Sequence, residues 1–172
     1  SALTLAMPWQ TNAQITPLPE PGKTAALTAL LQDALSHGAK VMNAGGGAVA
    51  ATLFKPAVLY PVTPAMKLYQ LEQFGPLVPV VPFDDIQQVI DYVIHSDYGQ
   101  QLSIFGQTPE DIGPLIDIFA NQVGRINLNS QCQRSPDSFP FTGRKDSAEG
   151  TLSVEDALLQ FSIPTLVATK QQ

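Results

Sequence analysis

A chain of 172 residues with 44% hydrophobic content can bury a sizeable core, and one domain is the default at that length. Nine Lys and Arg against fifteen Asp and Glu leave a net charge of −6, which argues against a nucleic-acid surface, since that needs a basic stripe. A single cysteine excludes an internal disulfide and suits a reducing, cytoplasmic setting, and no run approaches the ~20 apolar residues of a membrane span.

Residues 1–23 form a turn-rich lead-in, where Pro8, Pro17, Pro19, Pro21 and Gly22 leave no room for a helix beyond Leu3–Met7. Leu27, Leu30, Leu31, Ala34 and Leu35 recur at helical spacing, and Gly38 stops that helix. Lys40–Met42 reads as a short strand, Gly45-Gly46-Gly47 as a loose loop, and Ala57–Tyr60 as a strand. The triple glycine lacks the G-x-G-x-x-G arrangement of a phosphate loop. The apolar run Leu77-Val78-Pro79-Val80-Val81 reads as a buried strand over 77–82.

Asp84 or Asp85 then caps a helix with Ile86, Val89, Ile90, Val93 and Ile94 on one face, and Leu102–Phe105 is a short strand. Thr108-Pro109-Glu110-Asp111 supplies a cap, a proline at the first helical position and an acidic first turn. The buried face of that helix is Ile112, Leu115, Ile116 and Phe119, with Gly124 at its end, and Pro114 predicts a kink or a delayed start. Arg125–Asn129 is the next strand. Two strand–helix–strand passes of this length predict a parallel α/β sheet, because parallel neighbours need crossover connections. Ser153-Val154-Glu155-Asp156 begins a short helix through Phe161, and Ile163–Thr169 reads as a strand in need of a neighbour.

Two segments carry chemistry. In Leu71-Glu72-Gln73-Phe74-Gly75-Pro76, Glu72 offers two acceptor oxygens for the hydroxyls of a ribose. Phe74, on the same side of an extended segment, offers a flat face for a heteroaromatic ring, and Gly75-Pro76 a turn where backbone can approach a ligand. The plainer alternative is a strand lead-in with an exposed Glu and a core aromatic. The second segment, 125–150, contains Arg125-Ile126-Asn127-Leu128-Asn129, Gln133-Arg134, Pro136-Asp137-Ser138-Phe139-Pro140-Phe141 and Gly143-Arg144-Lys145-Asp146-Ser147.

With E-x-F-G-P upstream, this segment resembles the C-terminal part of the aldehyde dehydrogenase superfamily, where a G-x-(I/V)-x-(I/V)-N strand leads to a P-F-x-G-x-K-x-S loop. Gln133-Arg134 with Pro136–Phe141, and Ile15-Thr16-Pro17-Leu18 near the start, look most like one branch, the non-phosphorylating NADP-dependent glyceraldehyde-3-phosphate dehydrogenases. The likeness runs in order from about Met7 to Lys170. It implies a parallel Rossmann-like three-layer α/β sheet, with Leu3–Met7 as a helix tail, 1–23 as a truncated lead-in, 24–162 mainly catalytic domain, and 163–172 an oligomerisation strand and tail that joins the sheet of another subunit.

The resemblance also assigns roles. Glu72 and Phe74 would hold the nicotinamide end of NADP, or NAD. Arg134 would grip a phosphorylated aldehyde through its planar fork, or the carboxylate of a semialdehyde, and Phe141 would wall the aldehyde tunnel. In that superfamily the nucleophilic cysteine and the general-base glutamate lie upstream of this region. The chain is therefore expected to be the C-terminal portion of a longer enzyme, Ser1 not a natural N-terminus, and the chain alone to be inert. A non-catalytic oligomerisation or binding module is the reading from a different class.

Cys132 falls after the N-x-N strand, away from the nucleophile's place and without a nearby His, so no catalytic residue is expected here. Asn127 and Asn129 end a strand where α/β folds place ligands, or cap the loop. His37 and His95 lack metal-ligand spacing. Three residues depart from the pattern. Leu71 and Gln73 stand where the branch prefers Glu and Pro, and Ala148 where Gly usually follows Ser.

Overall fold

The computed structural model describes residues 3–170, and the chain divides into two units, Ser1–Phe83 and Asp84–Gln172. The boundary at Phe83 is absent from the sequence reading.

In the first unit the leucine stripe folds as α1, Lys23–Ser36, burying Leu27, Leu31 and Ala34. Its end is a Schellman motif. Gly38 takes φ 98°, its N–H donates to Leu35 O at 3.1 Å, and the Ala39 N–H reaches Ala34 O at 3.0 Å. The chain turns directly into β1 (Lys40–Val41), followed by β2 (Val49–Ala50), β3 (Leu53–Phe54), β4 (Ala57–Tyr60) and, after a 3-10 turn at Lys67–Tyr69, β5 (Leu77–Pro79). The sheet order is β1-β4-β5, with β1 antiparallel to β4 and β5 parallel to it. Ala57 and Leu59 of β4 face a core that includes Leu27, Leu31, Phe54, Val62, Met66, Leu68 and Leu77. Asn43 extends the β1–β4 pairing with a side chain: its Nδ2 donates to Pro56 O and its Oδ1 accepts from Val58 N, both at 2.8 Å.

Three expectations for this unit are corrected. Leu3–Met7 is not a helix tail. Leu5 instead bridges Ile15 in parallel, with Gln14 and Ile15 N–H groups donating to Thr4 O. The strand predicted over 77–82 stops at Pro79, and only Leu77 in it is buried. The Val80 N–H still donates to Leu59 O at 2.9 Å, but β5 lies at the sheet's edge among the described residues, so Val78, Val80 and Val81 stay exposed. The sheet is mixed rather than wholly parallel, because β1 runs antiparallel to β4, and the first of the two predicted strand–helix–strand passes does not close, since β5 pairs only with β4 among the described residues. The β2–β3 hairpin was not foreseen either. Its two-residue turn uses Ala51 at φ 52° where sequence signals look for Asn-Gly.

In the second unit, α2 (Ile86–His95) starts at Asp85, whose Oδ1 accepts the Gln87 N–H at 2.9 Å. Then follow β6 (Tyr98–Gly99), β7 (Gln101–Ile104), α3 (Pro109–Phe119), β8 (Arg125–Leu128), β9 (Phe141–Thr142), β10 (Arg144–Lys145), β11 (Thr151–Leu152) and α4 (Val154–Gln160). β7 and β8 pair in parallel from Gln101↔Arg125 to Ile104↔Leu128, with α3 as the crossover, so this pass is the predicted βαβ unit. β6 pairs with β10 and β9 with β11, both antiparallel. α3 begins on time at Pro109 with Pro114 inside it, which corrects the delayed start. The proline removes only the N–H that would reach the carbonyl of exposed Glu110, where water serves.

Ile163–Thr169 forms no strand. Ile163, Leu166 and Val167 are almost fully exposed, because a strand needs a ladder partner and this unit offers none to the tail. The helix before it is capped as predicted, Ser153 Oγ accepting the Asp156 N–H.

Gly75 provides the test of the first unit's packing. A Cβ placed there would lie 2.6 and 2.7 Å from the two terminal carbons of Leu27, which is wholly buried. Gly75→Ala is expected to lower stability by about 1–3 kcal/mol through overpacking, read as a shift of the urea midpoint. An unchanged midpoint would show that Leu27 has room to swing aside.

Candidate functional site

Glu72 and Phe74 lie between the 3-10 turn and β5. Glu72 is exposed, and its carboxylate has no hydrogen-bond or ion-pair partner among the described residues. The Phe74 ring is 74% exposed, which rules out the core-aromatic alternative within this chain. The segment is not the plain extended one expected, since Phe74 takes φ 41°, so alternation along a strand does not fix which way the two side chains face. The turn is held by Gln73. Its Nε2 donates to Leu77 O at 2.7 Å and its Oε1 accepts the Gly75 N–H at 2.9 Å. Gly75 has to be small beside Leu27, whose terminal carbons a Cβ would meet at 2.6 and 2.7 Å.

In the second unit the structure brings Arg134 and Phe141 together. The Arg134 guanidinium carbon sits 5.3 Å from the centre of the Phe141 ring, within range of a cation–π attraction. Both line an open cleft of about 390 Å³ with Asp137, Phe139, Leu152, Ser153, Val154 and Ala157. β9 presents Phe141, its paired strand β11 and the capped start of α4 add Leu152, Ser153, Val154 and Ala157, and the loop after β8 carries Arg134. Arg134 Nη1 pairs with Asp137 Oδ1 at 3.2 Å, with both side chains well exposed, so little opposes an incoming anion that takes Asp137's place.

Two residues that hold this loop, Arg125 and Gln101, escaped the sequence reading, and a third, Asn127, was read only as a strand-end ligand or a loop cap. Arg125 at the start of β8 donates from Nη1 to the carbonyls of Gln133, Arg134 and Ser135 at 2.9, 3.4 and 3.1 Å, and its guanidinium carbon lies 5.7 Å from the Phe139 ring. Its Nε donates to Asn127 Oδ1 at 2.8 Å. Asn127 is buried and passes the link on, its Nδ2 donating to Leu102 O at 3.0 Å and to Gln101 Oε1 at 3.3 Å. Gln101 Oε1 also accepts the Gln133 N–H at 3.1 Å. The signal for Arg125 was a lone cation opening a strand next to a long irregular loop. Asn127 is thus a strut of the strand rather than a ligand group, and Asn129 clasps Gly106 through both its amide atoms.

Cys132 is exposed and its sulfur contacts Ser103 Oγ at 3.3 Å and Asn127 Nδ2 at 3.8 Å. No imidazole activates it. Among the described residues no three His, Cys, Asp or Glu side chains cluster as metal ligands. The Lys145-Asp146-Ser147-Ala148 loop is well fixed despite its alanine: Lys145 Nζ donates to the carbonyls of Val93, Ile94 and Ser96, and Ser147 Oγ accepts the Gly99 N–H at 2.9 Å. The alanine fits because Gly143 beside it carries no Cβ, and one would lie 3.0 Å from that of Ala148.

The aldehyde dehydrogenase family pattern matches residues 1–167. The chain belongs to the aldehyde dehydrogenase family. It is 32% identical over 170 residues to the NADP-dependent glyceraldehyde-3-phosphate dehydrogenase of Streptococcus equinus, covering 98% of this chain and 33% of that protein. Its structure is similar to that of NADP-dependent glyceraldehyde-3-phosphate dehydrogenase from Bacillus halodurans C-125 complexed with NADP, with a TM-score of 0.78 and 34% identity over 87% of this chain and 30% of that one. Sulfoacetaldehyde dehydrogenase of Neptuniibacter caesariensis is 26% identical over 162 residues, 94% of this chain and 35% of that protein. The chain thus spans about a third of the length of these curated relatives, and its α/β fold is that of aldehyde dehydrogenases. No helix among the described residues is long and apolar enough to cross a membrane.

Asn127→Leu keeps the volume of this buried strut and removes its polar atoms, leaving Arg125 Nε without its acceptor. A loss of about 1–3 kcal/mol is expected in urea unfolding, and a midpoint equal to that of the unaltered chain would mean that water replaces these links.

Proposed function

We propose that these residues supply the nicotinamide end of the cofactor site and the substrate's anion clamp in an NADP-dependent dehydrogenase that oxidises glyceraldehyde 3-phosphate to 3-phosphoglycerate without phosphorylation. NADP, or NAD, when bound, accepts the hydride, and water supplies the added oxygen. The single observation that carries the substrate reading is the Arg134 fork, displayed over Phe141 in an open cleft and opposed only by the exposed Asp137 carboxylate.

The residues present fit the cofactor. Glu72 has two free acceptor oxygens for ribose hydroxyls, and the exposed Phe74 ring offers an apolar face for the nicotinamide. Correct orientation of that ring governs the hydride step, and the Gln73 hydrogen bonds supply a fixed turn for it. The names of the Streptococcus and Bacillus relatives support NADP and the phosphorylated aldehyde. An aldehyde with another anionic tail is the second reading, favoured by the likeness to sulfoacetaldehyde dehydrogenase. A cytoplasmic enzyme fits the single exposed thiol, and a second copy of the chain would give Ile163–Thr169 the strand partner it lacks within its own unit.

Two measurements test this. The 172-residue chain alone should turn over no aldehyde with either nicotinamide cofactor, since its one thiol lacks an activating base; turnover abolished by Cys132→Ser would overturn that expectation. In the full-length enzyme, Arg134→Leu should lower the ratio of kcat/KM for glyceraldehyde 3-phosphate to that for an uncharged short aldehyde by roughly ten- to a hundred-and-fifty-fold, the worth of a charge-assisted contact. Arg134→Lys should recover part of it, because a point charge cannot reproduce a bidentate fork. Equal losses on both substrates would make Arg134 structural.

A further inference from the structure

Residues 131–136 adopt no regular secondary structure, so the carbonyls of Gln133, Arg134 and Ser135 have no ladder or helix to pair with. One side chain meets all three. Arg125 Nη1 lies 2.9, 3.4 and 3.1 Å from them, while Nε is anchored on Asn127 at 2.8 Å. The same guanidinium packs over Phe139, and Arg134 packs over Phe141. The two arginines thus hold the two rings that flank Pro140, one from the backbone side of the loop and one from the cleft.

We propose that Arg125 is a positioning residue for substrate selectivity, fixing the backbone from which Arg134 reaches over Phe141 to bind an anionic aldehyde. This rests on the reading of Arg134 as the anion clamp. An arginine whose own backbone carbonyl is gripped starts from a fixed Cα, so its fork is presented with less orientational freedom to be lost on binding. Lysine would serve less well at 125. It has donors for the carbonyls but no planar face for Phe139 and no Nε to anchor on Asn127.

The test is made in the full-length enzyme with Arg125→Met, Arg125→Lys, Arg134→Leu and the Arg125→Met/Arg134→Leu double variant, on glyceraldehyde 3-phosphate and an uncharged short aldehyde. Arg125→Met should lower the kcat/KM ratio between the two substrates by roughly ten-fold, the scale of a misplaced contact, with the change mainly in KM for the phosphorylated one. Arg125→Lys should recover part of the ratio. In the double variant the ratio should equal that of Arg134→Leu alone, since a residue acting through Arg134 has nothing left to position. Equal losses on both aldehydes, or a further fall in the double variant, would overturn the proposal while leaving the clamp intact. If Arg134→Leu itself leaves the ratio unchanged, the clamp reading fails. Hydrogen exchange of the Gln133 amide in the 172-residue chain then judges Arg125 separately: faster exchange in Arg125→Met supports loop positioning, and unchanged exchange overturns it.

Discussion

Backbone carbonyls that no strand or helix can pair shape the second unit, and basic side chains supply their donors. Lys145 closes the end of α2 by giving its three ammonium protons to Val93, Ile94 and Ser96. Arg144 donates from Nε to Val123 O at 3.1 Å, beyond the end of α3. Arg125 meets three carbonyls of the irregular loop. A cation does this more effectively than a neutral donor, because charge-assisted hydrogen bonds are roughly twice as strong. It also opposes the negative end of a helix dipole where the carbonyls are the last of a helix, as at α2. The short strands β6, β10, β9 and β11 would have little to hold them otherwise.

Against that background Arg134 stands apart. Its side chain meets no backbone carbonyl, and its one ion-pair partner, Asp137, is as exposed as it is. The loop's structural work is done by Arg125 through its Nε and Nη1, and this leaves the neighbouring guanidinium to face the cleft. Division of labour between two arginines nine positions apart is what allows one of them to serve a ligand without loosening the loop it stands on.

Long periodic segments were legible in the sequence. The leucines of α1, the Asp85 cap of α2, the Thr108-Pro109 start of α3 and the apolar runs of β4, β7 and β8 all reflect local chemistry repeated over several residues. Elements that depend on a partner were not. The β2–β3 hairpin turns on an alanine because Phe54 is pinned in the core, a tertiary demand that overrides turn preference. The tail 163–169 has strand composition but no strand partner among the described residues of its own unit, and residues 77–82 have the apolar content of a central strand at an edge position. The candidate site divides in the same way. Arg134, Phe141, Glu72 and Phe74 were readable as a motif, whereas Arg125, Asn127 and Gln101 act through geometry that only the parallel β7–β8 register creates.

Gln73, which stands where the resembling branch prefers proline, holds its turn through its own side chain. Proline at that position would fix one backbone dihedral covalently. Gln73 instead fixes the turn from its side chain, bridging forward to Leu77 O and Gly75 N, and so ties together the segment from Gln73 to Leu77. The constraint has to be strong here, because Phe74 sits in the left-handed region that a bulky residue rarely adopts, and Gly75 must lie flat against Leu27. The helix α1 thereby sets the height of the turn through one leucine, and the glutamine sets its curvature. Glu72 and Phe74 inherit a defined position from both, although neither makes a packing contact of its own in the core.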